Sequence, residues 1–493
     1  MAIALAKVFQ NGMLLQREIS AAVWGSALPG EEIRISIQGH TASARADEGG
    51  AWAAHLPPLA ASASETMRIR GADGEIVLRD IAVGEVFIAG GQSNMEFCMR
   101  HEKHLQEALR DCENANIRFY AVPKLAYEGH ENDFDYHNVG RWRRATPRDL
   151  DYFSAVGYYF ARLLERDLSV PVGIIGCNWG GTRTSAWMTE PHARALQPEQ
   201  CADFDSSLNG QSWPEFIDAC HRDPTNDTGY SEWHDPIDPM DAEALAALPV
   251  LPRTNPQNAP GALYRHMVQH IAPYAARGVL WYQGESDDDF EGKQYRHRRA
   301  VEAVMSDWRA AWSDPVLPFF VVQLPGFAYQ LDAASRDYPA IRRCQQEAVD
   351  GDPRAWLCSI SDAGEEHDIH PKDKRTVGNR LALLAERYIF EKDILADPPR
   401  CVSARRDGTA IVLTFDHAGS GLRIMGGALQ ALDISSEGEP LPHTCEVSGN
   451  DLRIALAGNV QAPVDIRFAR TNWYRVNLYN DAGIPAIPFE YSV

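Results

Sequence analysis

Hydrophobic patterning changes texture three times along the chain. Up to residue 83, apolar and polar positions alternate, as in Glu32-Ile33-Arg34-Ile35-Ser36-Ile37 and Met67-Arg68-Ile69-Arg70. Such alternation puts one face of a strand in a core and the other in solvent. Pro29-Gly30, Gly49-Gly50 and Asp73-Gly74 read as turns between the stretches, so residues 1–83 are predicted to form a small β-sandwich-like domain. From 84 to 396 the alternation gives way to short apolar runs at 86–89, 172–175, 279–282, 319–322 and 356–360. Runs of this kind predict strands buried on both faces. Helical patterns at 155–167, 263–275, 295–312 and 377–390 lie between them, which predicts an α/β unit with a parallel sheet. Alternation returns after Pro398-Pro399, in the runs 410–415 and 452–456, and predicts a second β-domain over 397–493.

Residues 186–262 fit none of these textures. They are rich in Pro, Asp and Trp and have little period. Long excursions in an α/β unit serve as lids or specificity loops, or are surface decoration.

Composition narrows the class. At 493 residues the chain is long enough for two or three domains. Hydrophobic content of 45% and charged content of 23% are ordinary for a globular protein. A formal net charge of -21 argues against nucleic acid or an anionic membrane as partner, since both require basic patches. Nine cysteines, with no C-x-x-C among them, suggest neither a zinc ribbon nor a redox motif. Cys177 and Cys358 sit in apolar runs and read as small buried hydrophobes. No apolar stretch approaches the ~18 residues of a membrane span. The opening MAIALAKVFQNGMLLQRE lacks a basic start followed by a long apolar core. The expectation is a cytoplasmic protein, or a periplasmic or secreted one if a signal has been removed.

The chemistry concentrates at strand ends, where ligand sites of open α/β sheets lie. Val86-Phe87-Ile88-Ala89-Gly90-Gly91-Gln92-Ser93 ends an apolar run in two glycines and a serine. A serine hydroxyl becomes a nucleophile only when a base takes its proton. Gly90 and Gly91 permit a tight turn, and residues 94–110 can form a helix whose first N–H groups face developing charge. This is not the G-x-S-x-G elbow, and a serine that merely caps a helix is the competing reading. Downstream, Asp368-Ile369-His370-Pro371 carries an acid that can hold an imidazole in one tautomer. His367 and His370 are also spaced as H-x-x-H, so metal binding competes, although no H-E-x-x-H partner is visible. Gly180-Gly181-Thr182 can present bare N–H groups to an oxyanion, or form an ordinary turn. In Trp281-Tyr282-Gln283-Gly284-Glu285-Ser286-Asp287, Gln283 offers an amide donor at a strand tip. Glu285 can buttress the site, or act as a glycosidase acid with Asp287 or Asp362 as its partner.

Four of these blocks together resemble the sialate O-acetylesterases: Gly91-Gln92-Ser93-Asn94-Met95-Glu96, Gly180-Gly181-Thr182, Trp281-Tyr282-Gln283-Gly284-Glu285-Ser286 and Asp368-Ile369-His370-Pro371. That family of carbohydrate esterases belongs to the SGNH-hydrolase superfamily and has acetylxylan esterases as relatives. Met13-Leu14-Leu15-Gln16-Arg17, Val23-Trp24-Gly25, Leu317-Pro318-Phe319-Phe320 and Gln323-Leu324 extend the likeness over most of the chain. The resemblance implies a three-layer α/β/α core with a flavodoxin-like parallel sheet, flanked by N- and C-terminal β-domains. It implies a metal-independent deacetylase without a cofactor. Ser93 is then the nucleophile, His370 the base and later the acid, and Asp368 the orienting acid. The N–H of Ser93, the N–H of Gly181 (or Gly180) and Gln283 form the oxyanion hole, with Gln92, Gly180 and Glu285 in support. Many superfamily members place the acid three residues before the histidine; His367 occupies that position here and Asp368 stands at two. The expected activity is removal of O-acetyl groups from sialic acid, with acetylxylan or another acetylated glycan as the alternative. A glycosidase or a non-catalytic carbohydrate-binding protein are the rivals from other classes. Arg183, Trp187, Trp213 and Trp233 are candidate sugar contacts or simply packing residues.

Overall fold

The computed structural model describes residues 3–72, 74–130, 140–222, 256–328 and 337–493. The chain divides into two compact units, Met1–Gln283 with Arg299–Phe319, and Gly284–Arg298 with Phe320–Val493.

The first unit contains the parallel sheet that the apolar runs predict. Its strands lie in the order Trp142–Ala145, Asn114–Ala121, Val172–Asn178, Glu75–Gly91, Gly278–Tyr282. Val172–Asn178 pairs in parallel with Glu75–Gly91 on one side and with Asn114–Ala121 on the other. Gly278–Tyr282 runs parallel to the far side of Glu75–Gly91. Trp142–Ala145 adds an antiparallel edge. Every residue of Val172–Asn178 and Gly278–Tyr282 is buried, which accounts for their lack of alternation.

The Asn114–Ala121 strand escapes the apolar-run criterion because Arg118 interrupts it. That guanidinium is buried and donates to the carbonyls of Gly12, Met13 and Ala63. Burial pushes it down to about 10.

Glu75–Gly91 is a single 17-residue strand. Its first half pairs antiparallel with Ser62–Arg70, and its second half enters the central sheet. The chain therefore runs unbroken through residue 84. At the changeover Glu85 is wholly buried and binds three partners: Arg17 at 2.6 Å, Arg277 at 2.8 Å and Gln16 at 2.8 Å. Gln16 also accepts the Val86 N–H. The Leu14-Leu15-Gln16-Arg17 segment thus anchors the strand that leads to Ser93.

The Ala155–Leu168 helix is capped by Ser154, whose side chain accepts the Gly157 N–H, and it ends at Ser169 in the left-handed region. The excursion after residue 186 holds helices at Glu190–Leu196, Pro198–Ser207 and Trp213–Arg222. Pro191 and Pro198 sit in first turns, where a missing N–H costs nothing. Of the predicted helix 263–275, the structure has a π-helical turn at Tyr264–Val268 and a short helix at Gln269–Ile271, which ends before Pro273.

The second unit holds the strand Ala355–Cys358 and helices at Tyr338–Asp350 and Lys374–Tyr388. Trp356 stacks between Phe320 and Tyr388, with centroids at 5.3 and 4.6 Å. Toward the C-terminus one antiparallel sheet has the order Arg400–Asp407, Ala410–Asp416, Asp451–Leu456, His443–Ser448. A second has the order Glu439–Pro440, Leu432–Ser436, Asp465–Phe468, Phe489–Ser492. Both contribute to one core that includes Leu413, Ile454, Ile466 and Phe468.

No helix among the described residues is long and apolar enough to cross a membrane. Eight cysteines among them are free.

Candidate active site

The Ser93 loop is pinned from both sides by the neighbouring strands. Gln92 N–H donates to Tyr282 O at 3.1 Å, and Gly91 O accepts from Trp179 N–H at 3.1 Å. The Asn178 amide donates to Ala89 O at 3.0 Å. The two glycines serve close packing more than a turn. A Cβ on Gly91 would lie 2.0 Å from Tyr282 O, and its φ is +134°. A Cβ on Gly90 would meet the Trp308 ring at 2.8 Å. Real atoms do not approach so closely, so both positions require glycine.

The predicted helix over 94–110 is not there. A single turn, Ser93–Glu96, forms and stops at Phe97, whose ψ of 109° leaves the helical region. Two ties draw the chain away. Ser154 Oγ donates to Met95 O at 2.6 Å, and Cys98 makes a bridge to Ser154. Short helical turns recur only at Met99–His101 and Leu105–Ala108. A four-residue helix has little dipole, so stabilisation of charge falls to individual N–H groups rather than to a helix end.

Gly180 approaches Ser93 directly: its Cβ would lie 3.3 Å from that of Ser93. Its N–H is already engaged, donating to Glu96 Oε2 at 2.6 Å. Gly181 follows with φ +69° and no neighbour within 4 Å of a built Cβ. Asn258 braces this loop by donating to Gly181 O and accepting from Arg183 N–H. Gln283 is fully buried and joins three loops. Its Oε1 accepts from Thr184 Oγ1 at 2.6 Å, and its Nε2 lies 3.2 Å from Thr182 O and 3.3 Å from Gln92 Oε1. Ser93, Gln92, Gly180, Gly181 and Gln283 therefore gather at one end of the first unit's sheet.

The second unit carries Asp368 and His370 on the loop before the Lys374–Tyr388 helix. Asp368 Oδ1 accepts the His370 backbone N–H at 2.9 Å, and Oδ2 lies 3.5 Å from Lys372 Nζ. Asp373 caps the helix through the Thr376 N–H at 3.0 Å, which fixes the chain just past His370. A cleft of about 1110 Å³ runs beside this loop, with Glu366, His367, Asp368, Met425, Trp473 and Tyr479 among its lining. His367 is exposed.

The remaining candidates separate by burial. Trp187 is fully buried and donates to Thr182 Oγ1 at 2.9 Å, which makes it a core residue. Arg183 pairs with Asp203 at 2.7 Å. Trp213 is 43% exposed and packs on Phe216. Trp233 lies outside the described residues. Glu285 and Asp287 are buried in the short turn Glu285–Asp289, and Asp287 lies 3.6 Å from His297. Asp362 binds Arg380 through both oxygens, at 2.6 and 2.9 Å, so its charge is spent on an ion pair. Lys124, which no sequence motif singles out, is also buried beside the site and contacts Glu96.

Residues 254–385 match the family described as carbohydrate esterase, sialic acid-specific acetylesterase. The sialate O-acetylesterase of Mus musculus is 25% identical over 429 residues, spanning 80% of this chain and 75% of that one. The Homo sapiens sialate O-acetylesterase is 25% identical over 436 residues, spanning 80% and 72%. Among solved structures, a carbohydrate acetylesterase from Xanthomonas citri matches with a TM-score of 0.79 at 29% identity over 99% of both chains. The resemblance drawn from four short blocks thus extends over most of the chain.

Proposed function

We infer that this chain, a carboxylic ester hydrolase similar to the sialate O-acetylesterases, removes acetyl groups from carbohydrate hydroxyls by a serine mechanism. Ser93 Oγ attacks the acetyl carbonyl while His370 takes its proton. Asp368 holds His370 in place. The tetrahedral oxyanion is met by the N–H groups of Ser93 and Gly181 and by the Gln283 amide. His370 then returns the proton to the departing sugar oxygen, leaving acetyl-Ser93. Water, deprotonated by His370, attacks that ester; acetate leaves and the serine is regenerated.

One observation carries the reading: Ser93 stands at a strand end with a bare glycine loop against it, and that loop is held from several directions. Fixed donors around a developing negative charge are worth about 3–4 kcal/mol each. Because Glu96 occupies the Gly180 N–H, Gly181 is the better oxyanion donor of the pair. For Gln283 to donate, one of its two amide hydrogens must leave Thr182 or Gln92 when substrate binds. Sialic acid is the sugar that the relatives' names favour.

Acetate release from a panel of O-acetylated sialic acids, acetylated xylans and simple acetylated sugars tests the reading. Wild type is expected to release acetate, fastest from the sialates, and Ser93→Ala to release none. Unchanged release by Ser93→Ala would overturn the mechanism, and a marked preference for xylan would overturn the choice of sugar.

A further inference from the structure

We infer that the buried pair Glu96–Lys124 is a positioning device for the oxyanion loop; this rests on the serine-esterase reading above. Both side chains are almost wholly removed from solvent, each residue being 2% exposed. Their Nζ–Oε1 distance is 2.5 Å. Two buried charges cost several kcal/mol each to desolvate, and an apolar pair of similar size is often as stable. Stability alone is therefore a weak reason for an ion pair here.

Its placement supplies a better one. Glu96 lies in the same helical turn as Ser93, and its N–H donates to Gln92 O at 3.0 Å. The oxygen not shared with Lys124 accepts the Gly180 N–H at 2.6 Å. Lys124 also lies 5.8 Å from the Trp179 ring centroid, on the residue before Gly180. Trp179 in turn donates its N–H to Gly91 O. The pair thus ties the turn that carries the nucleophile to the glycine loop that faces it. The hydrogen bond fixes the orientation of the Trp179–Gly180 peptide, and the next free amide is that of Gly181. Lys124 holds Glu96 aimed, because charge-assisted bonds are short and directional. Glu96 acts through Gly180, as a positioning residue.

Three variants separate positioning from mere stability. Glu96→Ala removes the acceptor and leaves Lys124 unpaired. Glu96→Gln keeps an oxygen for Gly180 and also leaves Lys124 unpaired. The double change Glu96→Gln with Lys124→Met keeps the oxygen and removes both charges. Turnover of an aryl acetate is measured per reactive Ser93, counted by titration with a phosphonate ester, so that misfolded enzyme is excluded. Glu96→Ala is expected to lower kcat about 10²-fold, the scale of a small misplacement of catalytic groups, with KM little changed. The double variant is expected to recover most of that loss. Wild-type kcat in Glu96→Ala would overturn the inference, as would a folded double variant no faster than Glu96→Ala. Ser93→Ala in the same assay tests the underlying reading separately: activity there sinks the serine mechanism whatever Glu96 does.

Discussion

Gly91 decides where Ser93 can stand. Its backbone lies so close to Tyr282 O that any side chain forces the two strands apart, and its φ of +134° is itself unfavourable for other residues. Gly91→Ala is expected to cost about 3 kcal/mol or more, combining strain with overpacking. Urea denaturation measures this, and a loss below about 1 kcal/mol would show that the loop relaxes freely. Gln283→Ala is expected to lower kcat about 10²–10³-fold, as loss of an oxyanion donor does, with KM for a small acetate ester little changed. An unaltered kcat would leave Gln283 a purely structural bridge between Gln92, Thr182 and Thr184. At this scale the sequence was informative about residue type and less so about reason. Paired glycines before a serine are readable as a tight turn, yet their closest neighbours are Tyr282 and Trp308, far away in the chain. Lys124 was invisible because no local pattern marks a lysine whose partner is brought to it by tertiary folding. Trp187, readable as a sugar platform, proves to be core.

Apolar runs located the strands well where the elements are buried on both faces, because burial on both sides leaves no room for alternation. They failed at Asn114–Ala121, where Arg118 points a charge into the protein and pays for it with backbone carbonyls. Helices were legible when long and amphipathic, as at Ala155–Leu168. The helix that residues 94–110 can form does not extend past Glu96, because local propensity is overridden by the ties of Met95 and Cys98 to Ser154. Tyr338–Asp350 is not among the helices that the periodicity predicts, although Asp337 caps it through the Ala340 N–H and Pro339 stands in its first turn. The strand that carries Ser93 depends on Glu85, which is wholly buried between Arg17 and Arg277. Glu85→Ala leaves Arg17 and Arg277 with only the exposed Glu18 as a carboxylate partner and is expected to destabilise by about 3 kcal/mol. A change below about 1 kcal/mol in denaturant unfolding would mean that water or another carboxylate replaces it.

The residues proposed for catalysis lie far apart along the chain, from Ser93 to His370. Their separation along the chain is why short blocks, read together, carried more than any one of them. The cleft beside Asp368, lined by Trp473, Tyr479 and Met425, is larger than an acetyl group alone requires, and we propose that it receives the rest of the substrate. Trp473→Ala is accordingly expected to raise KM for an acetylated oligosaccharide several-fold while leaving aryl acetate hydrolysis unchanged. Equal effects on both substrates, or on neither, would remove the cleft from substrate binding. A chelator is expected to leave the rate unchanged, since every proposed step uses side chains and backbone alone. The central claim, an acetyl group passing through Ser93, is met most directly by trapping it. Wild-type enzyme mixed with excess aryl acetate and quenched in acid within the first turnover is digested, and its peptides are weighed. The account predicts one acetyl group on the peptide that contains Ser93; an acetyl group on another residue, or fast turnover with none on Ser93, would contradict it.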